Sequence, residues 1–338
     1  MKPLTQAPPL VEAPRLRSRR LRDLSLILGL LILFLAGIGG LAAATGWEET
    51  LHQLSRLTAL QVAVLLGLSL ANYLCRGTRW HLFARTLGLP THFLQDLRHF
   101  IGGFAMTVTP GRVGELIRMR WLRRETGWSV DRTAPLVLVD RASDLAAMAI
   151  LLGLAIALSA AGISGAIPVA LLALGTAYVA THPRLLAWCV TQAYRVIGRW
   201  PRLFGRFRQT ARSLRAFSQP GVLSTALALG ACGWLAEGFA LHLLLIWMGA
   251  DIGFWSAVGI FLFSTLAGGL TGAPGGVGGA EAAMIALLKL QGVPLEVSVP
   301  ATAVIRLTTL WFAILLGLAV FPFAERCSKK AAHDLENR

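Results

Sequence analysis

The sequence predicts an all-α polytopic membrane protein with about six full spans and two re-entrant broken helical hairpins, arranged as an inverted-topology repeat. Three observations lead there. The 338 residues are 55% hydrophobic and 14% charged, with a mean hydropathy of +0.62, and several apolar runs reach the roughly 18 residues that mark a transmembrane candidate. Two glycine- and proline-rich breaks, TPGRVGE at 109–115 and TGAPGGVGGAE at 271–281, interrupt apolar stretches. A shift of 164 or 165 residues lays one half of the chain on the other.

The elements follow in order. Residues 1–22 are rich in proline and arginine and read as a cytoplasmic basic arm. The run 24–44 is a first span rather than a cleaved signal, because another span follows it. A second span, 58–74, ends at Cys75-Arg76-Gly77-Thr78-Arg79, and 92–126 form the first re-entrant hairpin. A long helix from about 133 to 159 carries Asp140, Arg141 and Asp144 near its start, and a further span covers 165–181. Residues 182–219 hold eight arginines and no Asp, Glu or Lys, as a positive-inside loop or an anionic-lipid patch would. A fifth span at 221–247 contains Glu237 and His242; a second broken hairpin covers 254–290, and a sixth span 297–321. Residues 326–338 form a cytoplasmic tail. Within the single transmembrane domain, 23–325, repeat 1 runs from about 58 to 159 and repeat 2 from about 221 to 321.

The register of the repeat rests on several matches. Pro110-Gly111 falls on Pro274-Gly275, Pro135 on Pro300 and Arg141 on Arg306, while the string AILLGLA occurs at both 149–155 and 313–319. One span, 165–181, separates the copies, so they enter the bilayer with opposite orientation, and such architectures place a substrate near the midplane. Lys and Arg number six before the first span, ten in 75–132, eight in 182–219 and four in 325–338, against Arg56 and Lys289 on the other side. That asymmetry places both termini in the cytoplasm. The formal charge of +15 is distributed between apolar spans rather than on one soluble face, which argues against nucleic acid as a partner.

Chemistry concentrates at the breaks. A glycine-rich break followed by a helix presents backbone N–H groups and a positive dipole end, which suit phosphate or carboxylate. Arg112, Glu115 and Arg118 follow one another at three-residue spacing, as do Arg141 and Asp144. Each ionised group in a helix centre costs roughly 2.5–3.5 kcal/mol on insertion scales, so these groups are expected in pairs or at a functional site. Gly275, Gly276 and Gly278 would let backbone approach a headgroup, and Glu281 begins the helix after the break as a substrate ligand or an N-terminal cap. Under the 165-residue shift Asp144 falls on Thr309, so Arg306 lacks a local carboxylate. Its expected partner is Glu237, Glu281 or a substrate phosphate, which makes Arg306 the more substrate-facing cation and Arg141 the more structural one. Four scattered cysteines without a CxxC pattern read as free thiols, and no cofactor, metal or enzyme signature (GxxxxGK[ST], HExxH, GxSxG) is found.

At TPGRVGELIRMRWL, VDRASDLAAM and GAPGGVGGAE the chain resembles the lysylphosphatidylglycerol synthase transmembrane family, also called the flippase-like domain family. Its best-known relative is the membrane half of the multiple peptide resistance factor. The resemblance covers about residues 20–325 and implies a polytopic helical fold that translocates lipid. Carried over by motif, Pro110, Arg112, Gly114, Glu115 and Arg118 match the first element, Arg141 and Asp144 the second, and Gly275, Gly276, Gly278, Glu281 and Arg306 the third. Nothing after Arg326 matches the relative's soluble aminoacyl-transferase domain, so the resemblance does not imply aminoacylation. The expectation is a lipid flippase-like transporter of the cytoplasmic membrane. Its partners would be anionic, aminoacylated or glycosylated phospholipids, with a separate lipid-modifying enzyme or an oligomer admitted. The alternatives are a membrane-embedded lipid or lipid-linked-sugar transferase and a non-catalytic partner that presents lipid to a synthase.

Overall fold

The computed structural model describes residues 57–107, 116–159, 166–182 and 219–336, with isolated positions elsewhere such as Phe217. The expected first span at 24–44, the TPGRVGE break and most of the arginine-rich 182–219 stretch lie outside the described residues. The regular structure described is helical: α1 (Ala59–Thr86), α2 (Phe93–Gly103), α3 (Ile117–Thr126), α4 (Val130–Leu158), α5 (Ala166–Thr181), α6 (Pro220–Trp247), α7 (Phe254–Leu270), α8 (Gly279–Leu290), α9 (Leu295–Arg306) and α10 (Phe312–Glu336). A π turn, Leu307–Trp311, joins α9 to α10. Four segments are long and apolar enough to cross a membrane: α1, α4, α6 and the continuous Leu295–Leu335. The chain is therefore a polytopic α-helical membrane protein. The order of elements from α1 to α4 (long helix, two short helices, long helix) recurs from α6 to α10.

Local signals set the helix ends. Thr58 caps α1 through a reciprocal pair with Gln61, the Thr58 hydroxyl accepting from the Gln61 N–H and the Gln61 side chain from the Thr58 N–H. Helix α3 stops at Gly127, whose φ of 74° is left-handed. α4 and α9 each carry a proline as the sixth residue, Pro135 and Pro300, and each places an arginine six residues further on. α1 departs from expectation: it does not end near residue 74 but runs on to Thr86, because Arg76 and Arg79 find buried acids and have no need of solvent. Residues 326–336, expected in a tail, continue α10 as helix.

Two apolar cores share these helices. Along α4, Leu136 and Val139 belong to one core with Trp80, Phe83 and Phe100, and Ala147 onward belong to the other with Leu241, Leu244 and Phe261. Asp140 and Asp144 fall between them. The first hairpin is fastened by two carboxylates. Glu125 of α3 takes Gln95, Arg98 and His99 of α2, and Glu325 of α10 takes Arg120, Trp121 and Arg124 of α3. Burial works against the charged form of Glu125, yet the bond and charge of His99, the Gln95 amide and the Arg98 guanidinium hold its carboxyl below the usual range.

The two AILLGLA strings occupy unlike surroundings. Gly153 of the first meets open space, whereas Gly317 of the second lies against the backbone of Phe104 and Ala105. The stretch around residue 105 belongs to the first hairpin, so the second half of the chain closes on the first at this glycine.

Helices α1 and α6 pack along one another and bring Cys75 opposite Cys232. Both are free thiols. Mild copper-phenanthroline oxidation of the native protein is therefore expected to join them and to protect two of the four cysteines from later alkylation. Protection of any other pair would contradict this packing.

Candidate functional site: a buried layer of arginines and carboxylates

Ser69, Asn72, Arg76 and Arg79 recur along α1 at intervals of three and four residues, which puts them on one helical face, and all four are buried. Asp140 and Asp144 stand one turn apart on α4. Arg79 donates through one terminal nitrogen to Asp140 Oδ1 and Asp144 Oδ1, each at 2.7 Å, and through Nε to Asp140 Oδ1 at 3.2 Å. Arg76 holds the other Asp144 oxygen at 2.6 Å. From α6, Trp234 Nε1 donates to Asp144 Oδ1 at 3.2 Å, and its ring lies 4.9 Å from the Arg76 guanidinium carbon. Arg118 completes the layer, 4.0 Å from Asp140 Oδ2 and 4.5 Å from the centre of the Phe100 ring. Glycines on α6 make the room: a Cβ at Gly230 would stand 2.9 Å from an Arg79 nitrogen, and one at Gly233 3.1 Å from Asn72 Oδ1.

Arg141 differs from its neighbours. It reaches Asp140 at 3.2 Å and Asp144 at 3.7 Å, and its side chain is 28% exposed where that of Arg79 is 0%. It borders a cavity of about 290 Å³ between α4, α5, α6 and α7. Arg141, Asp144 and Trp234 form the polar end; Leu145, Met148, Leu172, Leu266 and Leu270 form apolar walls. Leu172 and Leu270 are themselves exposed on the outer surface. The expected pairing of Arg141 with Asp144 is present at 3.7 Å, and Arg76, Arg79 and Trp234 lie closer to the same carboxylate.

The second break has its own closed arrangement. Gly275, Gly276 and Gly278 adopt φ of 63°, 69° and 86°, a region that L side chains avoid. Glu281 Oε2 accepts from the Gly278 N–H at 2.6 Å and so caps α8, while Oε1 takes Arg306 Nε at 2.5 Å. Arg306 also donates to the Gly275 carbonyl at 3.0 Å. Arg306 therefore does have a carboxylate, 25 residues upstream, and it holds the break together. Of the partners expected for Arg306, the one found is Glu281, and the arginine is 6% exposed and doubly engaged.

A smaller cavity, about 60 Å³, lies between the two groups and is bordered by Tyr73, Arg76, Glu237, Thr265, Arg306 and Thr309. Tyr73 donates its hydroxyl to the Thr309 carbonyl at 2.6 Å, inside the π turn. Glu237 is 5% exposed. His242, half-buried, packs edge-on against Phe254 at 5.6 Å. Of the predicted site residues, Arg118, Arg141 and Asp144 meet in the first group. Gly275, Gly276, Gly278, Glu281 and Arg306 meet in the second, with Glu237 at the cavity between. Arg112 and Glu115 lie outside the described residues. Sequence reasoning missed Arg76 and Arg79, although Ser69, Asn72, Arg76 and Arg79 show the spacing of a polar helical stripe.

Arg79→Gln leaves two buried aspartates short of a cation and is expected to cost about 3–5 kcal/mol of stability. Arg141→Gln is expected to cost less than about 1 kcal/mol, as a partly solvated pair does. Thermal unfolding of both variants in one detergent compares them, and equal losses would contradict the division of labour. At the break, a Cβ on Gly276 would come 3.1 Å from the Gly268 backbone, whereas one on Gly278 meets nothing within 4 Å. Gly276→Ala should therefore lower the unfolding temperature further than Gly278→Ala, both bearing the left-handed penalty of about 1–2 kcal/mol.

With this geometry in hand, comparison with known proteins is informative. A family model described as the lysylphosphatidylglycerol synthase TM region matches residues 24–317. Two curated relatives, both UPF0104 membrane proteins of Methanothermobacter thermautotrophicus, align locally. One is 29% identical over 117 residues, 35% of this chain and 34% of the relative. The other is 32% identical over 107 residues, 32% of each. The alignments span about a third of the length of these curated relatives. The family match takes in every residue of both polar groups, and the chain belongs to the lysylphosphatidylglycerol synthase TM region family.

Proposed function

We propose that the protein moves the polar headgroup of a phospholipid across the cytoplasmic membrane, with both termini in the cytoplasm. The observation that carries this reading is the 290 Å³ cavity, charged at one end by Arg141 and apolar along walls that reach lipid-facing Leu172 and Leu270. A lipid is amphipathic in the same sense. A phosphodiester suits the charged end because a guanidinium can donate two parallel bonds to it, and the acyl chains stay against leucines. Membership of a family described by a lipid synthase's membrane region agrees with a lipid as the cargo. Arg76, Arg79, Asp140 and Asp144 fix the floor on which Arg141 stands, and the Glu281–Arg306 pair fixes the broken hairpin behind it.

The test is headgroup accessibility in liposomes that contain only the purified protein and trace phospholipids with labelled headgroups of several kinds. The parental protein is expected to expose inner-leaflet label to an external quencher. Arg141→Gln should weaken headgroup engagement by roughly 10- to 150-fold, the equivalent of the ~1.5–3 kcal/mol of a hydrogen bond to a charged group. Undiminished exchange in that variant would remove Arg141 from the path. A lipid recovered with altered mass would assign a transferase instead.

A further inference from the structure

Glu237 is the buried acid that neither polar group uses. It lies mid-helix on α6, 5% exposed, and makes no ion pair among the described residues. The groups that face it come from three other helices: Asn72, Tyr73 and Arg76 from α1, Asp144 from α4 and Arg306 from α9. Among the described residues α7 contributes Phe261 and Thr265 to the shared cavity, and the π turn contributes Thr309 and Leu310. Among the described residues, each of the two cations that face it is held by another carboxylate. Arg76 is bound by Asp144 at 2.6 Å and Arg306 by Glu281 at 2.5 Å. An ionised carboxylate in so dry a place needs a cation of its own, and a group denied one sheds its charge by binding a proton.

Two features bear on exchange of partners. Glu237 and Arg306 border the same cavity of about 60 Å³. Arg306 also stands immediately before the π turn, a point where a helix shifts register at low cost.

We propose that Glu237 is a proton-exchange site coupled to lipid movement, a reading that rests on the transport function above. In the state described, Arg306 belongs to Glu281 and Glu237 carries a proton. When Arg306 leaves Glu281 for Glu237, the carboxylic acid releases that proton as H⁺ to water and becomes the carboxylate that pairs with the arginine. The Glu281 carboxylate freed at the same moment is equally dry, takes up a proton in place of the arginine and no longer fastens the glycine break to α9, so the hairpin is released. Return of Arg306 to Glu281 releases that proton and obliges Glu237 to take one up again. Charge and protons balance over the cycle, and one proton crosses for each passage if uptake and release face opposite sides.

Two measurements test this separately from transport itself. In pH-difference infrared spectra of the purified full-length protein, the carbonyl stretch of a protonated carboxylic acid is expected in the parental protein and absent in Glu237→Gln. Identical spectra would overturn the proposal whether or not lipid moves. In proteoliposomes with trace labelled phosphatidylglycerol, an imposed pH gradient should bias the label between leaflets by up to about tenfold per pH unit, the limit for one proton per lipid. Glu237→Gln should abolish the bias at whatever rate it exchanges lipid. Equilibration without bias in the parental protein would overturn coupling while leaving transport standing; absence of any exchange would overturn the transport reading and the coupling with it, leaving the spectra to decide whether Glu237 binds a proton at all.

Discussion

Asp144 is the group on which the rest of the site depends. Its two oxygens receive Arg76, Arg79 and Trp234, from α1 and α6, while the residue itself belongs to α4. Such a buried ionic knot adds little net stability, since desolvation consumes most of what Coulomb attraction returns. What it supplies is register. A one-residue slip of α1 would swing Arg76 and Arg79 by about 100° and leave both guanidiniums unpaired in an apolar surround. Arg141 joins the same two aspartates at 3.2 and 3.7 Å from the cavity side, with its side chain 28% exposed.

The second group solves a different problem. A chain that leaves helix geometry inside a bilayer exposes backbone groups that lipid cannot satisfy. Here Glu281 takes the Gly278 N–H and Arg306 takes the Gly275 carbonyl, so the freed donor and acceptor are both answered by one ion pair. The glycines serve this joint through their positive φ, and Gly276 lies against Gly268 rather than facing a cavity. Gly278, by contrast, faces open space.

Much of the helical frame could be read from the chain alone. Apolar length marks α1, α4, α6 and α9–α10, and the proline-to-arginine spacing in α4 and α9 marks the repeat. Glu281 as a cap follows from its position three residues after Gly278. The error at Arg76 and Arg79 has a physical cause: arginines at the end of an apolar run look like interface anchors, and only tertiary pairing shows otherwise. That pairing joins positions more than 60 residues apart, which spacing on one helix does not reveal. It also means that Arg76, Arg79 and Arg118 belong to the interior, not to the loop charge from which orientation is counted. Arg306 is a different case: Glu281 stands among its expected partners, although that acid sits across a hairpin rather than one turn away.

The duplicated string AILLGLA ends in two different lives. Around Gly153 the surface is open, so that helix face answers to lipid and tolerates any apolar side chain that fits a disordered solvent of acyl tails. Around Gly317 the same letters are a contact between backbones, where a single methyl group has nowhere to go. The same string thus recurs without the same constraints. One copy serves as a greasy exterior, the other as a bearing surface between the two halves of the molecule. The halves of this protein are related as a casting is to its mould, by shared outline and opposite duty.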